Sequence, residues 1–158
     1  MSLIIDGPNG IGKTTLCNEL LKTKAFTDYK YVHLTAEDKN SYSYYTALLK
    51  NQKLILDRGP LDELVYSSLY GRKPRITLSE VNSIFKTTPC YVLLPLDLQT
   101  LITNLTKKGE KESKECDIAF ITNEYNTFVK FIHKLRNINI IPYDFSRLSR
   151  CLYMVTDK

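Results

Sequence analysis

The sequence has few of the residues from which disulfide frameworks and metal sites are built. Its 158 residues include only two histidines and four cysteines, which are Cys17, Cys90, Cys116 and Cys151. The cysteines lie far apart and form no C-x-x-C pair, so their spacing argues against a disulfide framework and against a zinc site. We therefore expect reduced thiols and, with them, a cytoplasmic protein.

Long apolar runs are also lacking. No stretch is apolar for long enough to cross a bilayer, and no basic segment precedes the apolar residues near Met1, so we expect neither a membrane span nor a signal peptide. Hydrophobic residues make up 43% of the chain, enough for the core of a single domain over residues 1–158. The formal net charge of +5 favours anionic partners such as nucleotides or nucleic acid.

The most informative stretch lies near the start of the chain. An apolar run over residues 2–5 leads into Gly7-Pro8-Asn9-Gly10-Ile11-Gly12-Lys13-Thr14-Thr15, which matches the phosphate-binding pattern G-x-x-x-x-G-K-[ST] at every defined position. Glycines let backbone N–H groups wrap closely around a polyphosphate, and the helix that follows adds partial positive charge. We predict that Lys13 reaches the β- and γ-phosphates of ATP and that the Thr14 hydroxyl is a Mg²⁺ ligand. The predicted ATP-binding residues are Gly7, Asn9, Gly10, Ile11, Gly12, Lys13, Thr14 and Thr15.

Strand and helix patterns alternate along the rest of the chain. The later strands are predicted at residues 31–35, 53–57, 91–94 and 138–141, with amphipathic helices between them. One of these helices begins at Thr77-Leu78-Ser79-Glu80, which has the spacing of a capping box. The alternation predicts a parallel sheet with helices on both faces, a three-layer α/β sandwich. Residues 150–155 fit either an edge strand or a packed terminus.

The third predicted strand ends in Asp57 and Arg58. Ligands of such sheets bind at the carboxyl ends of the strands, so both residues are candidates for chemistry. Asp57 is suited to hold Mg²⁺ or to accept a proton from the acceptor, and Arg58 is suited to bind a phosphate. Together with Lys13, they are the predicted catalytic residues.

Acceptor-side residues are predicted from the segments that follow the second and third strands. Glu37 is a candidate acid just past the second strand, and Arg72 is a candidate ligand of an acceptor phosphate. Tyr45 and Tyr66 are candidates for stacking on a nucleobase, because aromatic faces suit any base.

With these motifs the chain resembles the thymidylate and deoxynucleoside kinase group of the P-loop nucleoside and nucleotide kinases. The resemblance is carried by the glycine-rich loop, by Leu54-Ile55-Leu56-Asp57-Arg58-Gly59 with Val65-Tyr66 downstream, and by Lys107-Lys108-Gly109-Glu110 before a long helix. It implies the sheet order 2-3-1-4-5 and a Mg²⁺-associated or base-like role for Asp57. It also implies that Glu37 is the base in a deoxynucleoside kinase, and that a basic lid at about 107–115 contains Lys107, Lys108 and Lys111.

Three features depart from the thymidylate kinase pattern, and the first is a short segment between the second and third strands, which cuts down the acceptor-binding region. The loop position occupied by Asn9 is typically acidic in thymidylate kinases, and the lid contains lysines but no arginine. Lysine is a mobile point charge, whereas arginine offers a rigid fork for phosphate. The resemblance therefore leaves the acceptor open.

The first expectation is an ATP-dependent kinase that uses Mg²⁺ and transfers the γ-phosphoryl group to a (deoxy)nucleoside monophosphate. A deoxynucleoside kinase is the nearest alternative, followed by a kinase acting on a hydroxyl of DNA or RNA. Outside enzymes, an NTP-binding regulatory module has the same phosphate loop. The sequence allows a homodimer but does not reveal the base preference or the oligomeric state.

Overall fold

Five parallel strands form one sheet in the computed structural model, which describes residues 1–95, 97–107, 117–143 and 148–156. The strands are β1 (Leu3–Asp6), β2 (Lys30–His33), β3 (Leu54–Asp57), β4 (Cys90–Pro95) and β5 (Ile138–Tyr143). Their order across the sheet is β2-β3-β1-β4-β5, and every neighbouring pair is parallel. The predicted fold class and strand order are confirmed.

Helices cover both faces of this sheet. The described residues form α1 (Lys13–Leu21), α2 (Tyr42–Leu49), α3 (Pro60–Leu69), α4 (Leu78–Thr87), α5 (Leu98–Lys107), α6 (Ile118–Ile132) and α7 (Leu148–Thr156). A short 3₁₀ helix, Lys24–Phe26, follows α1. Within the described ranges, no helix combines the length and the apolar character that crossing a membrane requires.

The side chains of β1 alternate between two hydrophobic cores. Ile4 packs in a core that includes residues of α2, α3 and α4, whereas Leu3 and Ile5 pack in a second core with residues of α1, α5 and α7. Helix α6 contributes Phe128 to the first core and Ile121 to the second. Because β1 and β3 are covered on both faces, all their residues are buried and their sequences are almost continuously apolar.

The carboxyl-terminal segment forms a helix and not an edge strand. Cys151 and Val155 lie one helical turn apart, and both are buried in the same core as Leu16 and Leu20 of α1. Of the two alternatives that the sequence left open, the packed terminus is the one observed.

The amino terminus of α4 has the capping box that its sequence predicts. The Thr77 hydroxyl accepts a hydrogen bond from the Glu80 N–H at 3.2 Å, and the Glu80 carboxylate accepts one from the Thr77 N–H at 2.9 Å. We expect Thr77→Ala to lower the free energy of unfolding by about 1 kcal/mol, because a helix-terminal amide loses its acceptor. Urea denaturation measures this change. Thr87→Ala in the last turn of α4 is the control and should cost clearly less, so equal losses would contradict the capping role.

Candidate active site

The glycine-rich segment between β1 and α1, residues 7–15, forms a tight loop that we call the phosphate loop. Gly7 has a backbone φ of 149°, and a Cβ at this position would lie 2.5 Å from the carbonyl oxygen of Leu93 in β4. Gly12, which precedes α1, has a φ of 105°. Both conformations favour glycine, so the shape of the loop requires the glycines of the motif. Ile11 anchors the loop, because its side chain is buried in the second core.

Lys13 is the first residue of α1, and its side chain is buried. Its Nζ donates hydrogen bonds to the carbonyl oxygens of Gly7 at 2.6 Å and Pro8 at 2.8 Å. The ammonium group is therefore held inside the phosphate loop, which is where the motif predicts that it meets phosphate oxygens.

Asp57 ends β3 and contacts the phosphate loop directly. Its Oδ2 accepts hydrogen bonds from the Thr14 hydroxyl at 2.6 Å and from the Tyr31 hydroxyl at 2.5 Å. Burial and the hydrogen bond to Asp57 raise the pKa of Tyr31, so this hydroxyl stays protonated and donates. Asp57 Oδ1 is buried and has no hydrogen-bond partner among the described residues. The two predicted metal ligands, Thr14 and Asp57, thus touch each other.

Tyr31 and His33 of β2 are candidate site residues that the sequence analysis missed. His33 Nδ1 lies 3.3 Å from Asp57 Oδ2 and 3.3 Å from the Tyr31 hydroxyl oxygen. Parallel pairing places His33 beside Asp57 in the sheet, and strand alternation puts Tyr31 on the same face as His33. Only the pairing register of β2 with β3 would have pointed to Tyr31 and His33. The residue pattern of a single strand does not reveal that register.

Arg58 lies between the phosphate loop and α3. It adopts a φ of 76°, which is uncommon for a residue other than glycine. Its guanidinium donates to the side-chain oxygen of Asn9 and lies over the Tyr66 ring, with Cζ 5.7 Å from the ring centroid. Arg58 Nε is buried and has no hydrogen-bond partner within the described part of the chain.

Two cavities meet at Asn9 and Arg58, which line both of them. The phosphate-loop cavity, of about 150 Å³, is also lined by Gly10, Gly12, Lys13, Thr14, Thr15, His33 and Asp57. The second cavity, of about 270 Å³, lies between α3 and the segment that follows β2. We call it the tyrosine cavity, because Tyr45, Tyr66 and Tyr70 line it.

Sequence comparison finds a relative that matches part of the chain. No protein-family model matches the chain. A protein of Acidianus bottle-shaped virus (isolate Italy/Pozzuoli), named "Putative thymidylate kinase", is 31% identical over 77 residues, which are 44% of this chain and 49% of that protein. The match therefore spans about half the length of this curated relative.

Solved structures match over almost the whole chain. The YorR protein of Bacillus subtilis, in complex with phosphorylated GDP, is 15% identical with a TM-score of 0.75, covering 98% of this chain and 95% of that one. Deoxyadenosine kinase from M. mycoides, with products dCMP and a flexible dCDP bound, is 15% identical with a TM-score of 0.58, covering 99% and 97%. Polyphosphate kinase 2 from Arthrobacter aurescens TC1 is 10% identical with a TM-score of 0.75, covering 99% and 66%. The chain has the fold of the P-loop kinases.

Within this P-loop kinase fold, the predicted acceptor-side residues divide into two groups. Tyr66 and Arg72 line the tyrosine cavity beside the phosphate loop. Glu37 is exposed and lines neither of the two cavities, because the turn after β2 directs its side chain to solvent. Its prediction as an acceptor-side residue is therefore not supported by the geometry.

Tyr45 lines the tyrosine cavity but is only 1% exposed. Its hydroxyl donates to the Asn40 side-chain oxygen at 2.9 Å, and its ring packs edge-on against Tyr44. A ring enclosed in this way offers little surface to a nucleobase, so the geometry does not support the predicted stacking role of Tyr45.

The predicted basic lid cannot be placed from the described residues. Lys107 is the last residue of α5, and Lys108 and Lys111 lie outside the described ranges. The lid assignment stays a prediction.

An ion pair that the sequence analysis did not anticipate fixes the wall of the tyrosine cavity. Arg75 donates to both carboxylate oxygens of Glu63, at 2.7 and 3.1 Å, and these bonds lower the pKa of Glu63 against the opposing effect of burial. The same guanidinium donates to the carbonyl oxygens of Ala36 at 3.0 Å and Asp38 at 2.8 Å. Arg75 therefore joins α3 to the segment between β2 and α2.

Asp6 and Asp62 form a buried acid pair behind the phosphate loop. Asp6 accepts a hydrogen bond from the Gly59 N–H at 2.5 Å, and Asp62 Oδ1 accepts one from the Gly7 N–H at 3.3 Å. Burial and the Asp62 charge raise the pKa of Asp6 well above its usual value. Burial also raises the pKa of Asp62, while the positive charges of Lys13 and Arg58 oppose that rise. Burial and mutual repulsion therefore disfavour a negative charge on both carboxyls at once.

Proposed function

We propose that this protein is an ATP-dependent kinase that transfers the γ-phosphoryl group to a (deoxy)nucleoside monophosphate. The observation that carries the proposal is the meeting of two cavities at Asn9 and Arg58. Phosphoryl transfer needs donor and acceptor side by side and positive charge around the moving group. The phosphate-loop cavity receives the triphosphate, the tyrosine cavity receives the acceptor, and the Arg58 guanidinium lies between them.

The tyrosine cavity offers distinct groups to the parts of a monophosphate acceptor. Arg58 and Arg72 line it and are cations for the acceptor phosphate. Tyr70, whose side chain is half exposed, supplies aromatic surface for the base, and the largely buried Tyr66, with the Arg58 guanidinium over its ring, forms part of the cavity wall. Tyr66 is fixed in place, because its hydroxyl donates to Glu124 at 2.9 Å.

The residues beside the phosphate loop fit a Mg²⁺ ion. The Thr14 hydroxyl and the Asp57 carboxylate are hard oxygen donors, and Asp57 Oδ1 is a buried acceptor that lacks a hydrogen-bond partner in the described ranges. Bound there, Mg²⁺ would neutralise charge on the phosphates. The Asp57 carboxylate accepts hydrogen bonds from the Thr14 and Tyr31 hydroxyls, and the bond from Tyr31 orients it.

We expect Tyr31→Phe to raise the Mg²⁺ concentration for half-maximal activity by about tenfold. The substitution keeps the ring but removes the hydroxyl that donates to Asp57 Oδ2, and outer hydrogen bonds of this kind are worth about 10- to 100-fold in metal affinity. A magnesium titration of turnover measures the shift, and Mn²⁺ binding followed by electron paramagnetic resonance measures it without catalysis. Tyr29→Phe, whose hydroxyl donates to the Met1 carbonyl instead, is the control. If Tyr31→Phe required no more magnesium than the wild type, Tyr31 would have no role in metal binding.

A deoxynucleoside is the second candidate acceptor. The observation that favours it is that two acidic residues, Asp62 and Glu63, line the tyrosine cavity. Carboxylates repel the negative charge of a phosphate but do not repel a neutral hydroxyl group. One solved structure of similar fold is a deoxyadenosine kinase. The volume of about 270 Å³ is at the small end for a ligand cavity and supports a single nucleoside or nucleotide over a strand of DNA or RNA.

The test is phosphoryl transfer from labelled ATP with Mg²⁺ to nucleosides, nucleoside monophosphates and oligonucleotides. Label on a monophosphate, giving a diphosphate, supports the first proposal, and label on a nucleoside supports the second. Label confined to oligonucleotides would overturn both. Slow release of inorganic phosphate with no labelled acceptor would point to an NTP-binding regulatory module.

A further inference from the structure

Glu124 of α6 is a buried acid that the transfer chemistry described above does not use. It is only 1% exposed and lines neither the phosphate-loop cavity nor the tyrosine cavity. Its Oε2 accepts a hydrogen bond from the hydroxyl of Tyr66, on the neighbouring helix α3, at 2.9 Å. Burying a carboxylate is costly unless it is hydrogen-bonded, so this contact is a strong link between α6 and the wall of the tyrosine cavity.

Helix α6 holds the Tyr66 ring at two points. The hydroxyl donates to Glu124, and Phe128, one helical turn further along α6, packs edge-on against the ring with centroids 6.0 Å apart and planes at 83°. Burial and the charges of Asp62 and Glu124 raise the pKa of Tyr66 well above its usual value, so the hydroxyl stays protonated and keeps donating. The orientation of the ring is therefore set by α6.

The position of the Arg58 guanidinium depends on this ring. Among the described residues, the Arg58 side chain makes one hydrogen bond, to the side-chain oxygen of Asn9. A guanidinium with one hydrogen bond can still pivot about it. The face of the Tyr66 ring provides the second point of attachment, with Arg58 Cζ 5.7 Å from the ring centroid. Rotation of the Tyr66 ring would therefore displace the guanidinium.

We propose that Glu124 is a positioning residue, which holds the Arg58 guanidinium at the junction of the two cavities by fixing the Tyr66 ring. This inference rests on the proposed kinase function and adds a residue outside both cavities to it. Phosphoryl transfer depends on alignment, and a misplacement of 1 Å can cost about 100-fold in rate. ATP is held by the phosphate loop, so loss of the Glu124 contact should lower kcat and leave the KM for ATP unchanged.

The experiment compares Tyr66→Phe, Glu124→Met and the double variant, each of which removes this hydrogen bond while keeping similar side-chain bulk. We expect each single variant to lower kcat by about 10-fold, with the KM for ATP within about twofold of wild type. The double variant should lose no more than either single variant, because both act through the same bond. Glu124→Gln, whose amide oxygen can still accept from the Tyr66 hydroxyl, should keep at least about half of the wild-type kcat.

A binding measurement tests the same role without turnover. ADP, Mg²⁺ and aluminium fluoride, added with the acceptor that gains label in the transfer experiment, mimic the phosphoryl group in transit. We expect Tyr66→Phe and Glu124→Met to bind this mixture about tenfold more weakly than wild type, and to bind ADP with Mg²⁺ as wild type does. A contact that served stability alone would lower the unfolding temperature without this selective loss.

Asn126→Ala, at an exposed position on α6, is the control and should match the wild type in every measurement. If Glu124→Met does not fold, the conservative variants Tyr66→Phe and Glu124→Gln still decide. Wild-type kcat in Tyr66→Phe would overturn the inference, and so would a Glu124→Gln variant as impaired as Tyr66→Phe, or losses that multiply in a folded double variant. These outcomes leave the kinase proposal in place. Wild-type protein that phosphorylates no acceptor would instead remove the proposed function, and this inference with it.

Discussion

Replacing Lys13 with alanine is expected to reduce the rate of phosphoryl transfer by about 10²–10³-fold. This is the usual cost of removing one preorganised hydrogen-bond donor that stabilises the negative charge developing in the transition state. The Nζ of Lys13 is held within the phosphate loop by two carbonyl oxygens, so it is already in position when phosphates arrive. A steady-state assay measures the loss, with the acceptor that gains label in the transfer experiment proposed above.

The control for Lys13→Ala is Lys22→Ala. Lys22 follows the end of α1 and its ammonium pairs with Glu19 at the surface, so its removal should leave turnover near the wild-type value. Because alanine at position 13 also deprives the Gly7 and Pro8 carbonyls of a donor, thermal unfolding of both variants must accompany the assay. A folded Lys13→Ala protein that keeps more than about a tenth of wild-type turnover would be incompatible with a phosphate-binding role for Lys13.

Asp57→Ala is expected to lower turnover by about 100-fold, because it removes the carboxylate that contacts Thr14 and offers a buried oxygen to Mg²⁺. Turnover is measured over a range of magnesium concentrations. Part of the loss should be recovered at high magnesium if the carboxylate acts on the metal. Little recovery is expected if it acts as a base.

Asp57→Asn separates charge from hydrogen bonding. Its amide oxygen can still accept from the Thr14 and Tyr31 hydroxyls, so the local structure is kept while the negative charge is lost. We expect this variant to be nearly as impaired as Asp57→Ala. Wild-type turnover in Asp57→Ala would show that the carboxylate has no part in the reaction.

The elements of the fold were predictable because their signals are local. Residues 2–5 and 54–57 are nearly continuous apolar runs, which is how strands covered on both faces appear in a sequence. The capping box at Thr77 and the glycines of the phosphate loop are signals of the same local kind. The strand order came from resemblance to a family and not from any pattern in the chain itself.

Contacts across the sheet were less predictable. The approach of Tyr31 and His33 to Asp57 depends on how β2 is registered against β3, and the pairing of Asp6 with Asp62 depends on where α3 crosses β1. Both are distances between residues far apart in sequence. Composition gives no measure of such distances, and a lone histidine is more often a surface or core residue than part of a site.

The assignments of Tyr45 and Glu37 illustrate a further limit. Tyr45 lies on a helix rich in aromatics, which is compatible either with stacking on a ligand or with burial, and only the packed structure shows that its ring is enclosed. Glu37 follows a strand that ends at the site, yet one turn of backbone is enough to direct its side chain to solvent. In both cases the direction of the side chain depends on packing that the residue type and its position along the chain do not reveal.

The clamp formed by Arg75 on Glu63 and on the carbonyls of Ala36 and Asp38 has a thermodynamic consequence. It connects the two walls of the tyrosine cavity before any acceptor arrives, so little conformational freedom remains to be lost on binding. Association of the acceptor should therefore be fast, and the protein should contribute only a small entropic penalty.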